Sequence, residues 1–189
     1  MKDLIEVRWH GRGGQGAKTA AQFLAEAALD AGKYIQAFPE YGPERAGAPI
    51  RTYTRISTRP INLHCGVDSP EYVVVIDPTL LDPEVAQGLS EQGALLVNTN
   101  ESIDAVRKKT SFLKGRVAVV DATRISLETL GRPMPNMPML GALLKVVPLV
   151  QLEALYQAIK AKFLKKIGEE KTNANIEGVK RSYAQVKIG

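Results

Sequence analysis

Residues 4–31 constrain the fold more than any other stretch. Leu4 to His10 alternates, with Ile5, Val7 and Trp9 on one side, which is the period of a strand. Gly11-Arg12-Gly13-Gly14-Gln15-Gly16 follows and satisfies G-x-G-x-x-G. Ala17 to Ala31 then places Ala20, Leu24, Ala27 and Ala28 at helical spacing, and Gly32 stands where a left-handed residue ends a helix. A second short strand, Tyr34 to Phe38, completes half of a nucleotide-binding α/β unit. Glycines in such a loop permit positive φ and close backbone approach, and the helix start offers free N–H groups to an anion.

The rest of the chain extends this plan. Phe38 to Pro49 holds three prolines and two glycines and cannot be a helix. Ile50 to Ser57 alternates, with Arg51, Tyr53 and Arg55 on one side. Arg59-Pro60 reads as a turn and Ile61 to Cys65 as a second short strand, so a β-hairpin is expected here. Three short apolar strands follow, Tyr72 to Ile76, Ala94 to Val97 and Val117 to Val120, ending at Asp77, Asn98 and Asp121. Their lack of alternation suits a sheet covered on both faces. Helices are expected over 80–89, 103–113, 123–131, 140–149, 152–167 and 176–186. The fold class is therefore α/β: a Rossmann-like three-layer α/β/α sandwich with an inserted β-hairpin and a helical C-terminus. The 189 residues are expected to form a single domain over 1–189.

Composition excludes several function classes. Cys65 is the only cysteine, so neither an internal disulfide nor an iron–sulfur cluster held by this chain alone can form. No apolar run is long enough to span a bilayer or to act as a signal peptide, and a cytoplasmic location without membrane contact is expected. The net charge of +5 lies within residues 158–189, as a lysine-rich helix face with only Phe163 and Tyr183 as aromatics. That pattern fits a solvated helix surface or a dock for an acidic partner, not a nucleic-acid footprint.

Two segments are candidate sites. The loop Gly11, Arg12, Gly13, Gly14, Gln15 and Gly16 reads as a tight turn packed on a partner, as a phosphate site, or as a dinucleotide site. The last lacks support: Glu40 lies where a ribose-binding carboxylate is wanted, but Pro39 turns the chain there. The second segment is Glu40, Tyr41, Gly42, Pro43, Glu44 and Arg45, with Gly47 and Pro49. It combines carboxylates, an arginine and stiffening prolines, and reads as a subunit contact, a self-satisfied rigid loop, or a chemical site. His10 and His64 show no metal-ligand spacing and read as polar strand residues. Asp121 reads as a helix cap. No catalytic constellation is evident, and no residue is assigned a catalytic role. A free-standing nucleotide-binding protein using the glycine loop is the rival reading from the residues alone.

Together, Gly11 to Gly16 with Ala17, Thr19 and Ala20, then Gln36 to Arg45, then Gly47-Ala48-Pro49 closely resemble the gamma subunit of pyruvate:ferredoxin oxidoreductase. The likeness continues loosely through Asn136-Met137 and Met139 to Ala142. Ala46 departs from it, standing where the family often has a second arginine. The resemblance implies an oxidoreductase that decarboxylates a 2-oxoacid, pyruvate rather than 2-oxoglutarate, to an acyl-coenzyme A and reduces ferredoxin, with a gamma subunit for another close 2-oxoacid as the alternative. It implies thiamine diphosphate and [4Fe-4S] clusters in other subunits, coenzyme A as co-substrate, and a gamma chain that is a structural and binding element without catalytic residues of its own.

Overall fold

The computed structural model describes residues 2–40 and 47–189. Seven strands form one sheet in the order β2-β3-β1-β4-β5-β6-β7. They are β1 Leu4–Arg12, β2 Tyr34–Pro39, β3 Pro49–Ser57, β4 Tyr72–Val75, β5 Ala94–Asn98, β6 Arg116–Val120 and β7 Lys187–Ile188. β1, β4, β5 and β6 run parallel, whereas β3 is antiparallel to both β1 and β2, and β7 is antiparallel to β6. Helices α1 Ala17–Asp30, α4 Asn136–Val146, α5 Leu152–Ile167 and α6 Glu169–Gln185, with α3 Ala122–Leu130, build one outer layer. Helix α2 Ile103–Thr110 and two 3-10 turns at Pro78–Leu80 and Pro83–Ala86 cover the other face.

Alternation along each strand feeds both layers. Val7, Trp9, Val74 and Leu96 point toward α1 and α4, while Val73, Val75, Leu95 and Val97 point toward α2 and the 3-10 turns. Trp9 is fully buried, and its Nε1–H donates to Thr54 Oγ1 at 3.1 Å, so its polar edge is satisfied inside the core. On the helical side, α4 and α6 meet at Gly141, where an added Cβ would stand 2.1 Å from the Val179 carbonyl oxygen. Only glycine admits that backbone approach.

The expected sandwich is present, and several local expectations change. An antiparallel ribbon does interrupt the parallel order, but its strands are β2 and β3. Residues 61–65 are irregular, because the edge of β3 they would have used is occupied by β2. Arg55 instead holds that segment, donating from Nη2 to the carbonyls of Cys65 and Gly66, each at 3.0 Å. The helix expected over 80–89 is replaced by the two 3-10 turns, each begun by an aspartate cap and a proline at Asp77-Pro78 and Asp82-Pro83. Helix α4 starts at Asn136 rather than 140, since Pro138 lies in the first turn, where its missing N–H costs nothing. It ends at Val146, two residues before Pro148. Helix α6 starts at Glu169, its acidic first turn favoured by the helix dipole.

Candidate functional site

The chain leaves β1 through α1 toward β2 on one side, and later resumes at β4 on the other side of β1. The crevice outside the carboxyl ends of β1 and β4 is thus a topological switch point, the place where open α/β sheets bind ligands. The loop Gly11 to Gly16 lies there, facing the Asp77–Thr79 turn.

Hydrogen bonds within the loop give it a defined shape. The Arg12 N–H donates to Gln15 Oε1 at 2.8 Å, and the Gln15 N–H donates to the Arg12 carbonyl at 3.1 Å. Gln15 Nε2 donates to Asp77 Oδ2 at 2.6 Å. Gly16 has φ +81°, and a Cβ there would lie 2.4 Å from Asn136 Nδ2, so the residue must be glycine for two reasons.

Arg12 is committed within this chain. Its Nε lies 3.3 Å from Asp77 Oδ2, and its guanidinium donates to Thr79 Oγ1 and to the Gly47 carbonyl. Burial alone would raise the Asp77 carboxyl. Hydrogen bonds from the Thr79 hydroxyl and N–H and from Gln15, with the Arg12 charge, outweigh it and hold Asp77 below the usual carboxylate range. The start of α1 is the opposite case. No side chain caps it, its first turn carries no acid, and the first backbone N–H accepted within the helix is that of Ala20. The N–H groups of Ala17, Lys18 and Thr19 have no partner among the described residues.

The structure brings the two sequence candidates together. The Gly13 N–H donates to the Ala48 carbonyl at 3.0 Å, Arg12 reaches the Gly47 carbonyl at 3.2 Å, and Arg12 pairs with Pro49 in the β1–β3 ladder. Glu40 accepts a hydrogen bond of 2.5 Å from the Tyr53 hydroxyl. Burial, and then this bond and the Glu40 charge, push the tyrosine up to about 12. Tyr41, Gly42, Pro43, Glu44 and Arg45 lie outside the described residues.

The other polar strand ends serve the fold. Asn98 ties β5 to its neighbours, donating to the Ile76 carbonyl and accepting from the Thr123 N–H. Asp121 caps α3 by accepting from the Arg124 N–H at 2.9 Å. Sequence reading missed Asp77 and Thr79 as the braces of Arg12. It also missed the polar face of β1, where Glu6, Arg8 and His10 alternate with Ile5, Val7 and Trp9. That alternation was visible, but only the register shows that Arg55, Tyr53 and Arg51 stand opposite them.

A Rossmann-like sheet with a glycine loop at its switch point defines a class of ligand-handling α/β proteins. The model of the pyruvate ferredoxin/flavodoxin oxidoreductase family matches residues 6–185. The chain is 54% identical over 186 residues to the pyruvate synthase subunit PorC of Thermotoga maritima, covering 98% of this chain and 96% of that one. It is 47% identical over 180 residues to the common subunit gamma of the pyruvate/ketoisovalerate oxidoreductases of Pyrococcus furiosus, covering 95% and 97%. The crystal structure of pyruvate oxidoreductase subunit PORC from Thermotoga maritima superposes with a TM-score of 0.90 at 50% identity, covering 100% of this chain and 99% of that one. The chain belongs to the pyruvate ferredoxin/flavodoxin oxidoreductase family.

Proposed function

We propose that this chain is the gamma subunit of a pyruvate:ferredoxin oxidoreductase. That assembly oxidatively decarboxylates pyruvate to acetyl-coenzyme A and reduces ferredoxin. The likeness along nearly the whole length of the PorC chains supports this reading over a free-standing nucleotide-binding protein. A [4Fe-4S] cluster does not fit this chain alone. One cysteine cannot supply the thiolates of a cluster, and no group of three or more metal-ligating side chains occurs among the described residues. Thiamine diphosphate and the clusters are assigned to partner subunits, with ferredoxin meeting the assembly there. Residues 1–189 act as one unit, with Glu40 to Arg45, Gly47 and Pro49 as a contact to those partners. A cytoplasmic location is part of this reading; no helix among the described residues is long and apolar enough to cross a membrane.

The part this chain plays in the reaction is to hold a phosphate group of coenzyme A on Gly11 to Gly16 and the start of α1. One observation carries that assignment: the uncapped, acid-free N-terminus of α1 at the switch point. Its backbone N–H groups do the holding, while Arg12, occupied by Asp77 and Thr79, shapes the loop.

Lys18→Glu in the assembled enzyme tests this. Lys18 is exposed in the first turn of α1, where a carboxylate favours the helix by about 0.3–1 kcal/mol. Folding is therefore preserved or improved. The same carboxylate repels a bound phosphate, and the KM for coenzyme A is expected to rise about tenfold while the KM for pyruvate stays unchanged. An unchanged coenzyme A KM would make the loop purely architectural.

A further inference from the structure

On the face of the sheet opposite α1, β1 and β3 set basic and hydrogen-bonding side chains side by side. The register places Arg8 across from Tyr53 and His10 across from Arg51, and the pleat keeps all four on one face. Arg8 is only 6% exposed. Its Nε–H donates to His10 Nε2 at 3.1 Å, and its Nη2 donates to the carbonyls of Val85 and Gln87 at 3.1 and 2.6 Å. Among the described residues no carboxylate lies within 4 Å of Arg8, and its Nη1 has no partner.

Arg55 shows what is missing. It is 1% exposed and lies on the same face, and its Nε meets Glu6 Oε1 at 2.7 Å. Buried guanidiniums are ordinarily paired in this way, because an isolated charge in a low dielectric is costly. Arg8 is as deeply placed, yet the nearby carboxylates Glu40 and Asp68 stay exposed and do not pair with it.

His10 extends the donor set. Its Nε2 accepts from Arg8, so its proton sits on Nδ1. Burial first, then the charges of Arg8 and Arg51, hold the ring neutral and push its pKa down to about 3. Nδ1 is therefore an N–H donor at neutral pH. Arg51, directly opposite, is exposed.

We propose that Arg8, His10 and Arg51 form an oxyanion site, in which one carboxylate or phosphate group, entering past Arg51, takes the Arg8 Nη1 that no described residue accepts from, the Nδ1–H of His10 and the Arg51 guanidinium. Such a group supplies the counter-charge that no described residue gives Arg8, and charged acceptors suit guanidinium donors best. His10 immediately precedes the glycine loop, but that loop's own arginine is already paired with Asp77, and the site does not depend on the loop's role.

The chain has only two histidines, and they report on this directly. Imidazole proton–nitrogen NMR of the full-length protein would be followed during titration with acetate or with inorganic phosphate, chloride being replaced to hold ionic strength constant. The His10 signals are expected to shift and saturate with at least one of the two, while exposed His64 stays still. The anion that saturates at the lower concentration identifies the group the site takes. Arg51→Gln, at an exposed position that leaves the fold intact, is expected to weaken binding about tenfold. A His10 shift that never saturates, no His10 shift with either anion, or equal affinity in Arg51→Gln and the parent would each overturn the proposal.

Discussion

The two halves of the sheet share one helical layer and differ in what they turn to the other side. In β4, β5 and β6 both faces are apolar, and Val73, Val75, Leu95, Val97, Val117 and Val119 pack under α2 and the 3-10 turns. In β1, β2 and β3 the same face carries Glu6, Arg8, His10, Gln36, Arg51, Tyr53 and Arg55. Apolar burial on both faces stabilises without specifying any partner. A polar face has to be satisfied bond by bond, and it yields a net of named contacts. Arg55 alone joins Glu6, Gln36 and the 61–66 segment, which crosses β2 and β3 and is itself held by Gln36 Nε2 at the Leu63 carbonyl. The parallel half therefore rests on apolar burial, and the antiparallel half on specific polar pairing.

The sharpest way to break this contrast is Arg55→Ala. It strands the Glu6 carboxylate and two backbone carbonyls, and about 3–5 kcal/mol of stability is expected to disappear. The double replacement Glu6→Met with Arg55→Met should recover much of that loss, since well-packed apolar groups often match a buried ion pair. Denaturant unfolding of both variants checks this. A double variant as unstable as Arg55→Ala would mean that the polar half is itself a source of stability.

In the other half, Leu95→Ala leaves a cavity between α2 and the sheet, and a loss of about 3 kcal/mol is expected. It should arise without any change in the pH dependence of stability. A cost under 1 kcal/mol in the same unfolding assay would show that the parallel half repacks freely.

The effect that is smallest at neutral pH, and grows only on acidification, belongs to His10. The folded pKa of His10, about 3, lies below its ordinary value near 6.5, so the unfolded chain binds the extra proton between them. The stability His10 contributes by staying neutral is complete above the unfolded value. It is lost as pH falls through that window, at up to about 1.4 kcal/mol per pH unit. His10→Gln should flatten this part of the profile, and an unaltered slope in pH-dependent unfolding would locate the acid sensitivity elsewhere.

Local pattern alone settled a good deal. Strand β1, the glycine loop, helix α1 and the three apolar strands follow from periodicity and glycine placement, which act over a few residues. The glycine loop and the segment after β2 both stood out as candidate sites. The motif residues that point to the family were legible too, because their spacing is dense in the sequence.

What tertiary structure decided is everything that depends on which strand lies beside which. The sequence reads as a strand after Arg59-Pro60, and only the occupation of the β3 edge by β2 leaves that segment irregular. It shows Arg12 as a free cation, and only the fold brings Asp77 and Thr79 to it across the switch point. It shows Arg8 and Arg51 as scattered charges, and the antiparallel register makes them neighbours. Backbone propensity is local and can be read from a window of residues, whereas the pairing of a buried charge is set by partners many positions away in the chain.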